Sequence, residues 1–352
     1  MAKSVHTLAL HQMENGTDVF VGCPSSSELS GRLTSDSVQT LSWEAVRSPM
    51  RGLWREGRCL AQLVKRCRPH IVHLHSSKAG LVGRMVLRGR VPTIFTPRGW
   101  SFLALQNPAR QAAYRWESYA ARWCDAIQCV SEGEFAISPP GARELTRLVH
   151  NGVNLDVWRV PSKEESEAFR KAFGLVNTPT VACVGRFCRQ KGQDILLAAW
   201  PTVIKHVPNA RLLLVGADPD TSSSGGQIVP GVLFLGDRRD VWSLLATTDV
   251  FALPSRWEGQ SFALLEAMAT ARCVVASRAA PGVVDTMGHS AAGIVELDSV
   301  SFANALIERL TNPALRLSEG DKLRMRAEKH FSSSRMLAGI DEMYELTLSG
   351  AL

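Results

Sequence analysis

Pro254-Ser-Arg-Trp-Glu-Gly-Gln-Ser-Phe-Ala-Leu-Leu-Glu-Ala-Met-Ala269, continued by Thr270-Ala-Arg-Cys-Val-Val-Ala-Ser277, decides how this chain folds. Asp249–Leu253 just before it reads as a buried strand, and a turn follows. Phe262, Leu265, Met268 and Ala269 mark one apolar helix face, and Cys273–Ala276 read as the next strand. The result is a βαβ unit with Glu258 in its turn and Glu266 eight residues later, inside the helix. Backbone N–H groups of Gly259, Gln260, Ser261 and Phe262 are the free donors of a helix N-terminus, a natural seat for a phosphate. Two acceptor-only carboxylates beside that seat suit the hydroxyls of a ribose and a sugar. The pattern points to a site for a nucleotide sugar.

Two glutamates eight residues apart are common, and by themselves read as exposed helix charges. The surrounding chain supplies the context. Val184-Gly185-Arg186-Phe187-Cys188-Arg189-Gln190-Lys191-Gly192 follows the strand Val181–Val184 and opens a helix. That puts Arg186 and Lys191 at a strand's carboxyl end, where α/β folds bind ligands. With Leu213-Leu214-Val215-Gly216 and Phe234-Leu235-Gly236-Asp237-Arg238 in order and spacing, these stretches resemble the GT-B glycosyltransferases of family 4. The resemblance runs over nearly the whole chain and is most specific between about residues 180 and 285.

Composition agrees. At 352 residues and 45% hydrophobic, the chain exceeds one ordinary core and reads as two domains. It holds no run of 18 apolar residues, so a spanning helix is not expected, and its first residues lack the apolar stretch of a signal peptide. Eight cysteines without a C-x-x-C pair read as reduced, mostly buried thiols of a cytoplasmic protein rather than disulfides or a zinc site. The net charge of +7 is unevenly placed: residues 1–160 carry 20 Lys and Arg against 12 acids, and the remainder 20 against 21. A basic first half suits an anionic membrane at the inner face of the cell or a diphosphate-linked acceptor; the alternative is an ordinary solvated surface. No nucleic-acid motif accompanies the charge.

Strands and helices alternate along the chain, which argues for parallel α/β layers. In the first half, Asp18–Gly22, His70–His75, Val91–Thr96, Asp125–Val130 and Arg147–His150 read as strands, with Gly52–Cys67 a helix. The expected organisation is residues 1–155 as an acceptor-binding domain, 156–177 as a linker containing Pro161, and 178–332 as the donor-binding domain. Residues 333–352, chiefly the helix Ser333–Leu348, return to the first domain as the resemblance implies. Pro201 should kink the helix after Gly192, and Thr221–Gln227 reads as a polar, mobile loop. Lys3–Met13 reads as a helix ahead of the strand Asp18–Gly22, so the sequence opens in the middle of a βαβ unit. The resemblance implies a GT-B fold of two Rossmann-like domains facing a cleft, with the first strand of the N-terminal domain missing and expected upstream.

The resemblance also assigns roles. It implies a retaining transfer from a nucleotide diphosphate sugar, UDP rather than GDP, to a polysaccharide or lipid-linked glycan, with the donor phosphate helping to remove the acceptor proton. Arg186 offers a planar fork to phosphate oxygens and Lys191 a compact charge. Glu258 would accept bonds from the donor-sugar hydroxyls, and Glu266 from the ribose diol. No cofactor or metal is expected. His73-Leu-His75-Ser76-Ser77-Lys78-Ala-Gly80-Leu-Val-Gly83-Arg84 resembles a stretch of enzymes acting on lipid-linked acceptors, which makes Ser76, Ser77 and Lys78 acceptor-binding candidates beside the plain reading of a helix cap. Asn151-Gly152-Val153 resembles the hinge-side motif. Where relatives carry His-Gly, this chain has Arg98-Gly99; Arg98 stays protonated and cannot act as a base, yet it can hold a phosphate or sugar hydroxyl. Ala271 replaces a usual glycine, and Asp285 stands where Glu is common. A non-catalytic GT-B subunit that binds a nucleotide sugar or a partner, and a nucleotide-sugar epimerase, are the competing readings.

Overall fold

The computed structural model describes residues 2–46, 52–216, 229–289 and 291–351; the loop Thr221–Gln227 lies outside them. The chain divides into two compact units, Met1–His150 with Arg335–Leu352, and Asn151–Ser334.

The first unit runs α1 Ala2–Glu14, β1 Phe20–Cys23, α2 Glu28–Ser35, β2 Gln39–Ser42, α3 Leu53–Cys67, β3 Val72–His75, α4 Ser77–Leu87, β4 Thr93–Thr96, α5 Ala109–Ala120, β5 Ala126–Cys129, α6 Glu132–Ala136, α7 Pro140–Arg143 and β6 Thr146–Leu148. Instead of one doubly wound sheet it holds two parallel ones: β1 with β2, and β3-β4-β5-β6 in chain order. Strands in sequential parallel order, joined by right-handed crossovers, place α4 and α5 on the same face of the larger sheet. There α4 lies close to the strands, since a Cβ on Gly80 would stand 2.1 Å from the Phe95 ring. Arg84 of α4 is wholly buried. Its guanidinium meets Glu117 of α5 at 2.6 Å, with side chains 0% and 2% exposed, and lies 4.2 Å from the Phe95 ring centroid.

The second unit runs α8 Lys163–Ala172, β7 Thr180–Val184, α9 Gln193–His206, β8 Arg211–Val215, β9 Val232–Gly236, α10 Val241–Thr247, β10 Val250–Leu253, α11 Phe262–Ala269, β11 Cys273–Ser277, α12 Pro281–Met287, β12 Ile294–Val295, α13 Ser299–Thr311 and α14 Pro313–His330. Its six parallel strands take the order β12-β11-β10-β7-β8-β9. Strands β7, β10 and β11 are almost wholly buried apolar runs, as a parallel sheet covered on both faces requires. The last helix, α15 Ser333–Ser349, packs Met336 and Ile340 against Leu8 of α1 and bonds Asp341 to His11 at 2.6 Å.

Two expectations change in detail. The stretch 156–177 is part of the second unit rather than a linker: α8 is capped by a reciprocal Ser162–Glu165 box, and its Phe169 meets the Trp242 ring of α10 edge-on at 5.7 Å. Pro201 sits inside α9, Gln193–His206, the helix the sequence placed it in. Helix α11 buries every residue from Leu264 to Ala269 rather than one face. The cysteines are all unbonded thiols, and burial pushes those of Cys124 and Cys183 up to about 12, which makes them poor nucleophiles. No helix among the described residues is long and apolar enough to cross a membrane.

Removing one partner of a buried ion pair leaves an uncompensated charge. Glu117→Ala should therefore cost about 3–5 kcal/mol of stability, while Arg84→Met combined with Glu117→Leu should recover most of it. Urea unfolding of the three proteins checks this; equal stability of Glu117→Ala and the parent would contradict it.

Candidate functional site

In the second sheet β7 leads outward through β8 to β9, whereas β10 leads the other way through β11 to β12. The adjacent pair β7 and β10, in register at Val250↔Val181 and Phe251↔Ala182, is thus a topological switch point. Open α/β sheets bind ligands outside the carboxyl ends of such strands. The loops leaving the two strands there are Gly185–Gly192 and Pro254–Ser261, the two stretches singled out in the sequence.

These loops are locked together. Gly192 has φ +68°, and a Cβ on it would stand 2.0 Å from the Pro254 carbonyl oxygen, so only glycine permits the approach. The Arg256 backbone N–H donates to the Gln190 carbonyl at 2.8 Å, and the Gln190 side-chain amide donates to the Trp257 carbonyl at 3.0 Å. The Arg256 guanidinium grips Asp194 of α9 with two bonds, at 2.8 and 2.6 Å. At the centre Lys191 Nζ meets Glu258 Oε1 at 2.5 Å, with side chains only 17% and 9% exposed, and the Ser255 hydroxyl donates to the same oxygen at 3.0 Å.

Around this pair the other candidates take distinct positions. Arg186 is exposed at the mouth of the loop, and among the described residues no hydrogen bond or ion pair holds its guanidinium. Gln193 steadies the loop backbone by donating to the Gly185 and Arg186 carbonyls. Ser261 is the N-cap of α11, yet its hydroxyl makes no capping bond, so the first N–H groups of the helix are left to other acceptors. Glu266 is buried one turn into α11, 3% exposed. Gln260, expected at the donor, is engaged inside the protein. Its carbonyl accepts from the Asn151 N–H at 2.7 Å, and its amide donates to Thr286 at 3.3 Å. The Asn151 side-chain amide also donates to the Gln260 backbone carbonyl at 3.1 Å. Gln260 thus ties Asn151 to the site loop, a link across 109 residues that local sequence does not announce.

The first-unit candidates also have partners of their own. Lys78 is paired with Glu56 at 2.8 Å, the carboxylate only 2% exposed; Glu56 also accepts from the Val46 N–H at 2.8 Å. Lys78 therefore holds α4 to α3. Ser76 caps α4 with φ +84° and no side-chain capping bond, and Ser77 begins the helix. Arg98, with φ +55°, donates to the Ser4 hydroxyl, and burial pushes its guanidinium down to about 10 against the favourable field of Glu134. It remains protonated at neutral pH. Glu134 itself accepts from the Gly99 and Val130 N–H groups, at 2.5 and 2.8 Å.

His73 bonds Tyr344 of α15 and Thr96 of β4, both at 2.7 Å. Burial, with Arg98 nearby, lowers the His73 imidazole to about 3. His75 is lowered well below its ordinary value by burial, His73 and Arg98. Both rings are neutral in the folded chain, whereas the unfolded chain protonates them near pH 6.5. Their contribution to stability is complete above that pH and drains away as pH falls below it, for His73 until about 3. Acidification from pH 7 to 5 should thus cost of order 2 kcal/mol through His73, with His75 acting in the same direction, and His73→Gln should flatten the dependence. Hydrogen exchange of the β3 and β4 amides against pH measures it; protection unchanged down to pH 5 would refute the assignment.

Comparison with known proteins follows the same division. The family described as Glycosyltransferase Family 4 matches residues 1–157, and the one described as Glycosyl transferases group 1 matches residues 178–312. The chain is similar to the Escherichia coli UDP-Gal:alpha-D-GlcNAc-diphosphoundecaprenol alpha-1,3-galactosyltransferase, 28% identical over 267 residues, covering 70% of this chain and 68% of that protein. It is similar to the capsular polysaccharide biosynthesis glycosyltransferase CapM of Staphylococcus aureus, 25% identical over 298 residues, covering 80% and 78%. Among solved structures, Anabaena Alr3699/HepE in complex with UDP and glucose superposes with a TM-score of 0.82 at 20% identity, covering 98% of this chain and 95% of that one.

Proposed function

The chain belongs to the GT-B glycosyltransferases of family 4, and from that premise we propose that it is a retaining, metal-independent enzyme elongating a lipid-linked glycan from a UDP-sugar at the inner face of a membrane. It is a transferase acting with nucleotide sugars on glycolipid or polysaccharide acceptors. The observation that carries the finer reading is the Lys191–Glu258 pair at the switch point, flanked by the exposed Arg186 and the uncapped N-terminus of α11.

In this reading the diphosphate lies against Arg186 and the α11 N–H groups, where cations and helix dipole offset the charge gathering on the leaving group. Lys191 turns from Glu258 toward the phosphate, and Glu258 is released to accept hydrogen bonds from the sugar hydroxyls. Glu266 accepts from the ribose diol. The anomeric C–O bond breaks as the acceptor hydroxyl attacks on the same face of the sugar. Its proton passes to the departing phosphate oxygen, and nucleoside diphosphate leaves. The galactosyltransferase relative, named for a UDP-linked donor and a diphosphoundecaprenol-linked acceptor, supports the choice of substrates.

Lys191→Ala should lower turnover by about 10²–10³, as the loss of one oxyanion-stabilising group does, and magnesium should not restore it. Glu258→Ala should abolish transfer while leaving UDP binding intact, because the diphosphate then takes over the charge of Lys191. Glu266→Ala should weaken UDP binding itself. Transfer assays beside UDP calorimetry test the set. Near-normal turnover of Lys191→Ala, or rescue by magnesium, would overturn it; UDP-sugar binding with no transfer to any lipid-linked acceptor would mean a non-catalytic subunit.

A further inference from the structure

Gln260 precedes Ser261, the N-cap of α11, and is only 6% exposed. Its polar atoms are engaged with the body of the second unit. The side-chain carbonyl accepts from the Asn151 N–H at 2.7 Å, and the backbone carbonyl accepts from the Asn151 side-chain amide at 3.1 Å. The two residues clasp each other backbone to side chain in both directions. The Gln260 amide donates to the Thr286 hydroxyl of α12 at 3.3 Å, and that hydroxyl donates onward to the Gly282 carbonyl one turn earlier. The Gly282 N–H in turn donates to the Glu258 carbonyl at 3.2 Å. Residues 258–260 are thus fastened at four points, two on Asn151 and two on α12. Asn151 is itself a fixed seat, 2% exposed and the first residue of the second unit. Two residues on, the Val153 N–H donates to the Phe331 carbonyl at 2.8 Å, and the Val153 carbonyl accepts from the Ser333 N–H at 3.0 Å.

What this frame holds in place is the start of α11. The Ser261 hydroxyl makes no capping bond, so the first N–H groups of the helix point wherever the entering backbone sends them. A hydrogen bond weakens steeply once its donor falls out of line with the acceptor. A diphosphate held by several N–H groups at once would lose them together if the loop could rock. Gln260 suits the task of preventing this. One planar amide offers an acceptor to Asn151 and a donor to Thr286 at the same time, and it adds no negative charge beside a leaving diphosphate. We propose that Asn151 and Gln260 are positioning residues for the donor, an interlock that aims the α11 N–H groups at the diphosphate while neither side chain touches the donor. The proposal rests on the donor reading above. It assigns the aim of that site to a residue 109 positions earlier in the chain.

The test is calorimetry of the full chain with UDP and with uridine, beside steady-state transfer from the UDP-sugar. Asn151→Ala removes one anchor and leaves both the Gln260 side chain and the backbone N–H it accepts from. It should lower UDP affinity about tenfold, with uridine affinity unchanged. Gln260→Met, close in volume and without the amide, should lower it at least as far. The double variant should lose little more than Gln260→Met alone, since both changes break one interlock. In transfer, kcat should fall more than KM rises, because charge on the diphosphate grows toward the transition state. Leu306→Ala, a core truncation in α13, should lower the melting temperature and keep the ratio of UDP to uridine affinity, which separates positioning from general destabilisation. Asn151→Ala carries the test by itself where Gln260→Met does not fold. An unchanged ratio in Asn151→Ala, additive losses in the double variant, or an equal loss of ratio in Leu306→Ala would overturn the proposal. So would a loss confined to Gln260→Met, which would mean that Gln260 touches the donor directly. Those results all leave UDP binding to the parent chain; a parent that binds no UDP would sink the donor reading itself, and the interlock's role with it.

Discussion

The ion pair between Lys191 and Glu258 joins the two loops at the centre of the second unit's candidate site, and the proposed chemistry depends on it. It joins the loops leaving β7 and β10, and it does so where the strand order reverses, so one contact closes the switch point of the sheet. Its energy in isolation is modest, because both ions were better hydrated before folding. Its consequence is positional. Each charge neutralises the other in a partly desolvated pocket; in the proposed reading, an anion gives Lys191 a second partner and frees Glu258 for hydroxyls. The close approach of Gly192 to Pro254 and the Arg256–Asp194 clasp hold the two loop backbones together.

The first unit solves a different electrostatic problem. It folds a strongly basic stretch by burying its few acids against Lys78 and Arg84, which pins α3 to α4 and α4 to α5. Arg55, Arg58, Lys65, Arg66, Arg68, Arg88 and Arg90 are left exposed, while Arg98 is turned in toward Ser4. A polar cluster of His73, Thr96, Gln128 and Tyr344 then ties β3, β4 and β5 to the returning helix α15. The chain's last element therefore belongs to its first unit for chemical reasons, reinforced by the apolar packing of Met336 and Ile340 on Leu8.

Most of the second unit is legible locally. The apolar runs of β7, β10 and β11, each followed by a glycine-containing turn and a helix, announce parallel strands, and Arg186, Lys191, Glu258 and Glu266 fall where spacing puts them. The features that local reading misses are long-range pairings. Lys78 looks like a ligand-binding cation until Glu56, 22 residues earlier, comes beside it. Gln260 looks like a donor contact until Asn151 takes it. The stretch 156–177 reads as a linker from its charge and proline, although Ser162 and Glu165 spell a capping box and were a usable sign of a helix. The division of the first unit into two parallel sheets is a matter of which strands pair, and periodicity within a strand carries no such information.

The central claim is that the loops after β7 and β10 form one diphosphate-binding site that works without a metal. Calorimetry with UDP, UMP and uridine in the presence of EDTA tests it most directly. The account predicts that UDP binds, that affinity falls by at least about tenfold for each phosphate removed, and that Lys191→Ala removes most of the advantage of UDP over uridine. UDP and uridine binding equally, or UDP binding only when a divalent ion is supplied, would contradict it.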